Sequence, residues 1–164
     1  MDSPQDAAQA LFSAALELLS RREHSQRELK DKLAGKFPGA DFDALFLRLQ
    51  ELNYQSDQRF AEVFARSRVQ RGQGPIRIRR ELQQRGVSSQ LGEGALESLE
   101  ADWYQLAAEV LQRKFRSPVS EVLPRDQQLK ERARRQRYLA YRGFPSDAIH
   151  WALDAAASDL YSGF

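Results

Sequence analysis

Between Asp57 and Leu82 the chain reads Asp-Gln-Arg-Phe-Ala-Glu-Val-Phe-Ala-Arg-Ser-Arg-Val-Gln-Arg-Gly-Gln-Gly-Pro-Ile-Arg-Ile-Arg-Arg-Glu-Leu. Its chemistry lies in Arg59, Arg66, Arg68, Arg71, Arg77, Arg79 and Arg80, set among apolar residues. No lysine occurs between Lys36 and Lys114. A guanidinium is a planar fork that matches two phosphate or carboxylate oxygens at once, so this bias favours directed oxyanion binding over general solubility. A second cluster, Arg132, Arg134, Arg135, Arg137 and Arg142, is interleaved with Tyr138 and Tyr141. Tyrosine can stack on a base or a guanidinium. For Tyr138, beside the apolar Leu139, packing between helices is the favoured reading.

Charge is distributed unevenly behind a net value of +2. Residues 54–90 hold 8 Lys/Arg against 3 Asp/Glu, residues 91–111 hold 0 against 5, and residues 112–142 hold 10 against 3. Two basic blocks flank an acidic one. The basic blocks suit a polyanion, and Glu93, Glu97, Glu100 and Asp102 suit a basic protein surface.

Catalytic chemistry finds no foothold. His24 and His150 have no partner at metal-ligand spacing and are expected at the surface or partly packed, so no metal is implied. There is no cysteine, which removes disulfides and thiolate sites and fits a reducing cytoplasm. Gly72-Gln-Gly74-Pro75 follows a helix, lacks a third glycine and reads as a structural corner, not a phosphate cradle. Asp41 and Asp43 are two apart and do not share a helix face; they assist a helix start. With no nucleophile–base pair to place, the expectation is a non-enzymatic binding protein without cofactor.

The surrounding pattern is helical. Hydrophobic residues make up 41% of the chain, enough for a folded core. The apolar stretch from Ala7 to Leu19 is broken by Gln9, Ser13 and Glu17 and is not expected to span a bilayer. Leu11, Ala14, Ala15, Leu18 and Leu19 predict a helix over about 7–21. Ser25-Gln-Arg-Glu28 is a capping box opening a helix to about Lys36 that buries Leu29 and Leu33. Phe42, Leu45, Phe46 and Leu49 predict a third helix, closed near Asn53 in a left-handed conformation. The pattern then restarts. Ser56 or Asp57 caps a helix with Phe60, Val63 and Phe64 on its stripe, and Pro75 opens the next, with Ile78 and Leu82 on one face and Gly86 closing it. Leu91, Ala95, Leu96 and Leu99 follow. A third round runs from Trp103 with Leu106, Ala107, Val110 and Leu111. It passes a looser 117–126 segment and continues through Leu129, Ala133, Tyr138 and Leu139 to a last helix with Ala148, Ile149, Ala152 and Leu153.

Three helix endings expose the repeat: Leu33-Ala-Gly-Lys-Phe37, Leu82-Gln-Gln-Arg-Gly-Val87 and Leu139-Ala-Tyr-Arg-Gly-Phe144. A period near fifty residues with three helices each predicts an all-α fold of three tandem three-helix repeats, an elongated, curved helical array. The expected divisions are 1–55, 56–101 and 102–164.

With these residues placed, the chain resembles the RecX family of bacterial recombination regulators from Leu16 to Leu153. The likeness rests on Arg21/Arg22-x-x-Ser25-x-x-Glu28-Leu29-x-x-Lys32-Leu33, then Tyr54-x-x-Asp57-x-Arg59-Phe60-Ala61, then Arg68-x-x-x-Gly72-x-Gly74-Pro75-x-Arg77-Ile78. A weaker Tyr138-Leu139-x-x-Arg142-Gly143-Phe144 follows. Asn53 and Gln55 depart from the family's glycine and aliphatic residue; Gln55 is expected to loosen one packing contact. The resemblance implies three three-helix repeats. It also implies a regulator that binds RecA and the RecA–DNA filament and restrains strand exchange, ATP hydrolysis and coprotease activity. A cytoplasmic monomer with weak, sequence-independent affinity for single-stranded DNA is expected. The competing reading is a helix-turn-helix type protein that binds DNA without RecA. Against it, no helix carries the side-chain mixture of a base-reading face.

Overall fold

A computed structural model describes residues 3–162, with side chains through residue 157. Among the described residues all regular structure is helical. In chain order the helices are α1 (Pro4–Arg21), α2 (Gln26–Leu33), α3 (Phe42–Glu51), α4 (Asp57–Gln70), α5 (Pro75–Gln84), α6 (Ser89–Ser98), α7 (Trp103–Lys114), α8 (Arg125–Tyr141) and α9 (Ser146–Ser162). Among the described residues no helix is long and apolar enough to cross a membrane.

Local chemistry accounts for the boundaries. Ser3 opens α1 with a capping box to Asp6, so the helix starts three residues before Ala7. The box at Ser25 and Glu28 opens α2, and Asp41 caps α3 by accepting from the Ala44 amide at 3.1 Å. Ser56 caps α4 through the Arg59 amide, while Asp57 is its first helical residue. α2 stops at Leu33, short of the expected Lys36. A turn then brings the Phe37 amide to the Leu33 carbonyl at 2.9 Å, and Phe37 packs on the core.

Four helices end alike. An amide reaches back five residues to a carbonyl at α3 (Tyr54 to Leu49), α4 (Gln73 to Arg68), α5 (Val87 to Leu82) and α8 (Phe144 to Leu139). This ending demands a left-handed residue just before the donor. Asn53, with φ of 60°, supplies it at α3, as its tolerance of that conformation predicts.

The chain divides into two compact units: residues 1–65 with 81–98, and residues 66–80 with 99–164. The divisions fall inside α4 and α5. The first unit buries Leu11, Phe12 and Ala15 of α1 against Leu29 and Leu33 of α2 and Phe42, Leu45 and Leu49 of α3. The second buries Ala107, Val110 and Leu111 of α7 against Leu139 of α8, Phe144, and Ala148, Ile149, Ala152 and Leu153 of α9.

Several expected core positions lie elsewhere. Val63 is 39% exposed, and Ala61 and Ala65 take its place beside Phe60. Which apolar residues of the stripe are covered is decided by tertiary packing, which hydrophobicity alone does not signal. Leu129 is 59% exposed, because the N-terminal half of α8 runs ahead of the part that packs. It lines a shallow cavity of about 350 Å³ with Pro118 and Val119. Leu91 and Leu99 are only half-buried.

Candidate functional site

In the first unit, a buried polar joint ties the start of α2 to the start of α4 and the end of α5. The Ser25 hydroxyl accepts from the Glu28 amide at 3.1 Å and donates to the Arg85 carbonyl at 2.7 Å. Asp57 accepts from the Gln26 amide at 3.0 Å and from Gln55 Nε2 at 2.9 Å. Gln55 is buried and also donates to the His24 carbonyl at 3.3 Å. The departure from an aliphatic residue therefore adds polar links where looser packing was expected.

His24 is 1% exposed, not at the surface. Its Nδ1–H donates to the Arg22 carbonyl at 3.0 Å, and its bare Nε2 accepts from the Lys32 ammonium at 3.2 Å. Those partners fix the neutral tautomer. Burial lowers the His24 pKa below 6.5, opposed by the bond to the Arg22 carbonyl and reinforced by the charges of Arg22 and Lys32. For Glu28, burial acts to raise the pKa, but hydrogen bonds from Arg22 and the Ser25 amide outweigh it and hold the carboxyl below its usual value.

Arg59 belongs to the same joint. Its Nε meets Glu23 Oε1 at 2.6 Å, and its remaining nitrogens reach Asn53 Oδ1 and the carbonyls of Asn53 and Tyr54. It pins the α3–α4 turn to the segment before α2.

The second unit contains an interlock of two corners. The Gly74 amide donates to the Arg142 carbonyl at 2.8 Å, and the Ile76 amide donates to the Gly143 carbonyl at 3.0 Å. In return the Arg142 guanidinium donates to the carbonyls of Gly72 and Arg71. A Cβ on Gly74 would overlap the Gly143 carbonyl, and one on Gly143 would overlap Arg77. Gly143 also has φ of 98°. Glycine is required at both positions by close backbone approach.

The candidate arginines of the second unit differ in exposure and partners. Arg77 stands over the Tyr141 ring, 5.1 Å from its centroid. Arg66, Arg71, Arg80, Arg134 and Arg137 are exposed, and Arg68, Arg77 and Arg79 are half-buried. In α8, Lys130, Arg134, Arg137 and Tyr141 recur at helical spacing and share an exposed face. Arg134 also pairs with Glu131 at 3.3 Å, and Arg132 and Arg135 have partners of their own. Arg132 pairs with Asp154 at 2.9 Å. Arg135 is buried between Glu131 (3.3 Å) and the Phe115 ring (4.8 Å). Desolvation tends to raise the Glu131 pKa, but hydrogen bonds from Arg135 and Arg134 outweigh it and lower it. Tyr138 packs edge-on to Phe115, as favoured.

The acidic candidates lie on α6 and at the start of α7. Asp102 caps α7 through the Gln105 amide, Glu93 and Glu97 lie on α6, and Glu100 follows it in a left-handed conformation. The residue pattern also gave no sign of the Tyr104–Trp151 pair. The two rings stack edge-on at 5.9 Å on α7 and α9, with the Tyr104 hydroxyl donating to Asp147 at 2.7 Å. That hydrogen bond raises the Tyr104 pKa and lowers that of Asp147.

Three family models cover most of the chain: the first three-helix domain of RecX at residues 12–49, the second at 56–96 and the third at 100–153. The chain belongs to the RecX family. A regulatory protein RecX of Halorhodospira halophila is 44% identical over 155 residues, covering 93% of this chain and 92% of the relative. One of Pseudomonas savastanoi is 40% identical over 155 residues, covering 94% and 96%. The crystal structure of RecX from Lactobacillus salivarius shares the fold with a TM-score of 0.75 at 21% identity, over 93% of this chain and 98% of that one.

The residues that carry the RecX likeness are mostly those of the joints. Ser25, Glu28, Asp57 and Arg59 build the first, and Gly72, Gly74, Arg142 and Gly143 build the second. Of the candidate arginines, the exposed Arg66, Arg71, Arg80, Arg134 and Arg137 stand outside the motif spacings.

Proposed function

We propose that this chain binds the RecA–DNA filament and restrains RecA's strand exchange, ATP hydrolysis and coprotease activities. Membership of a family whose curated relatives are named regulatory protein RecX carries the reading. The exposed arginine surface of the second unit supports it, since its geometry suits phosphate oxygens without reading sequence. Arginines meet DNA phosphate or acidic protein, and Glu93, Glu97, Glu100 and Asp102 meet basic protein. Regulation then works by differential binding. A ligand that prefers one state of the filament shifts it toward that state, and no covalent step is needed.

The test is RecA turnover on single-stranded DNA. Added protein is expected to slow both ATP hydrolysis and strand exchange in proportion to its occupancy of the filament. Unchanged rates on a filament shown to carry the protein would refute the reading. A footprint on duplex DNA that persists without RecA would instead favour a free-standing DNA-binding protein.

A further inference from the structure

Tyr141 is the last residue of α8 and is 71% exposed, more than Tyr54, Tyr104 or Trp151. Three features mark its surroundings. Arg77, from the start of α5, stands 5.1 Å from the ring centroid, a cation–π contact on the exposed ring. Arg137 lies one helical turn before Tyr141 and is exposed. Arg80 lies one turn after Arg77 and is exposed, as is Ile76, whose amide is bonded to the Gly143 carbonyl. The interlock of Gly74 with Arg142 and of Gly143 with Ile76 fixes the start of α5 against the end of α8. The ring and its arginines are thereby carried on two rigid helices and not on a loop.

We propose that Tyr141 is a base-stacking platform for single-stranded nucleic acid, with the exposed Arg80 and Arg137 receiving the phosphates on either side. The inference deepens the filament reading by assigning a residue to the nucleic-acid strand. An aromatic face flanked by guanidinium groups is the arrangement that binds single strands without sequence preference, because every base offers a π-face. A base-paired duplex hides those faces, so the site selects single over double strands. An acidic protein surface would satisfy the arginines but has no use for the exposed ring.

The test compares a thymidine oligonucleotide of about 15 nucleotides with an abasic strand of equal length and charge, the protein being otherwise intact. Wild type is expected to prefer the thymidine strand, and Tyr141→Phe is expected to keep that preference. Tyr141→Ala should lose roughly 5- to 150-fold in affinity for the thymidine strand, with an unchanged salt dependence. The double variant Arg80→Ala/Arg137→Ala should flatten the salt dependence for both strands alike. Equal binding of the two strands by wild type, or a preference that survives Tyr141→Ala, would overturn the proposal. Because these arms use no RecA, they are independent of the filament reading. A preserved strand preference in a protein that leaves filament turnover unchanged would support the stacking site and count against the filament role alone.

Discussion

His24 shows how a single buried group makes stability depend on pH. Its folded pKa lies below 6.5, so on acidification the unfolded chain takes up the proton first. The contribution is therefore complete above about pH 6.5 and is lost as pH falls below it. Glu28 has the same sign lower down. Its stabilisation is present above about pH 4.5 and is lost as pH falls through its depressed value. The melting temperature is expected to be flat above neutrality and to begin falling near pH 6.5. In His24→Asn, whose amide can still donate to the Arg22 carbonyl, the fall should begin only near pH 4.5. An unchanged profile in that variant would show that another group controls the first step. Ser25 offers a second residue-scale prediction. It caps α2 and also bonds the Arg85 carbonyl, so Ser25→Ala should cost about 1–3 kcal/mol in denaturant unfolding. Arg80→Ala, at an exposed position, should change stability by less than about 0.5 kcal/mol.

At the scale of elements, caps and endings were legible in the sequence where one side chain decides them. Ser25-x-x-Glu28, Pro75, and the left-handed Asn53 all do what their chemistry requires. Leu129 and Val63 were not legible, because apolar periodicity marks a possible face but not whether a neighbour covers it. This gives a paired test. Leu139→Ala, at a fully buried site of α8, should cost about 2–5 kcal/mol, whereas Leu129→Ala on the same helix should cost less than about 0.5 kcal/mol. Comparable losses would mean that Leu129 is covered in solution. The corner at Gly143 is stricter still. Gly143→Ala combines an unfavourable φ with overlap on Arg77, and should cost more than about 1 kcal/mol by chemical denaturation.

At the scale of the whole molecule, the repeat of three-helix modules and the family were legible, but the division of labour among arginines was not. Arg59, Arg135 and Arg142 resemble Arg80 and Arg137 in a bare sequence. The structure gives the first three ion-pair or carbonyl partners inside the fold and leaves the last two exposed. Partners 36 and 70 residues away set Arg59 and Arg142 apart, whereas Arg135 is set apart by burial against Phe115 beside Glu131, four residues away. The joint replacement of Arg77, Arg79 and Arg80 by alanine is accordingly expected to weaken DNA-dependent binding. It should also reduce the salt slope, by about 0.7 for each single-strand phosphate no longer neutralised. An unchanged slope would place these side chains against protein.

Regulation by binding to a polymer is tested most directly by co-sedimentation with RecA preassembled on single-stranded DNA, with RecA alone and with DNA alone, at low and moderate salt. The expected result is retention on the assembled filament that far exceeds retention on either component and weakens as salt rises. Equal retention on bare DNA and on the filament would contradict it.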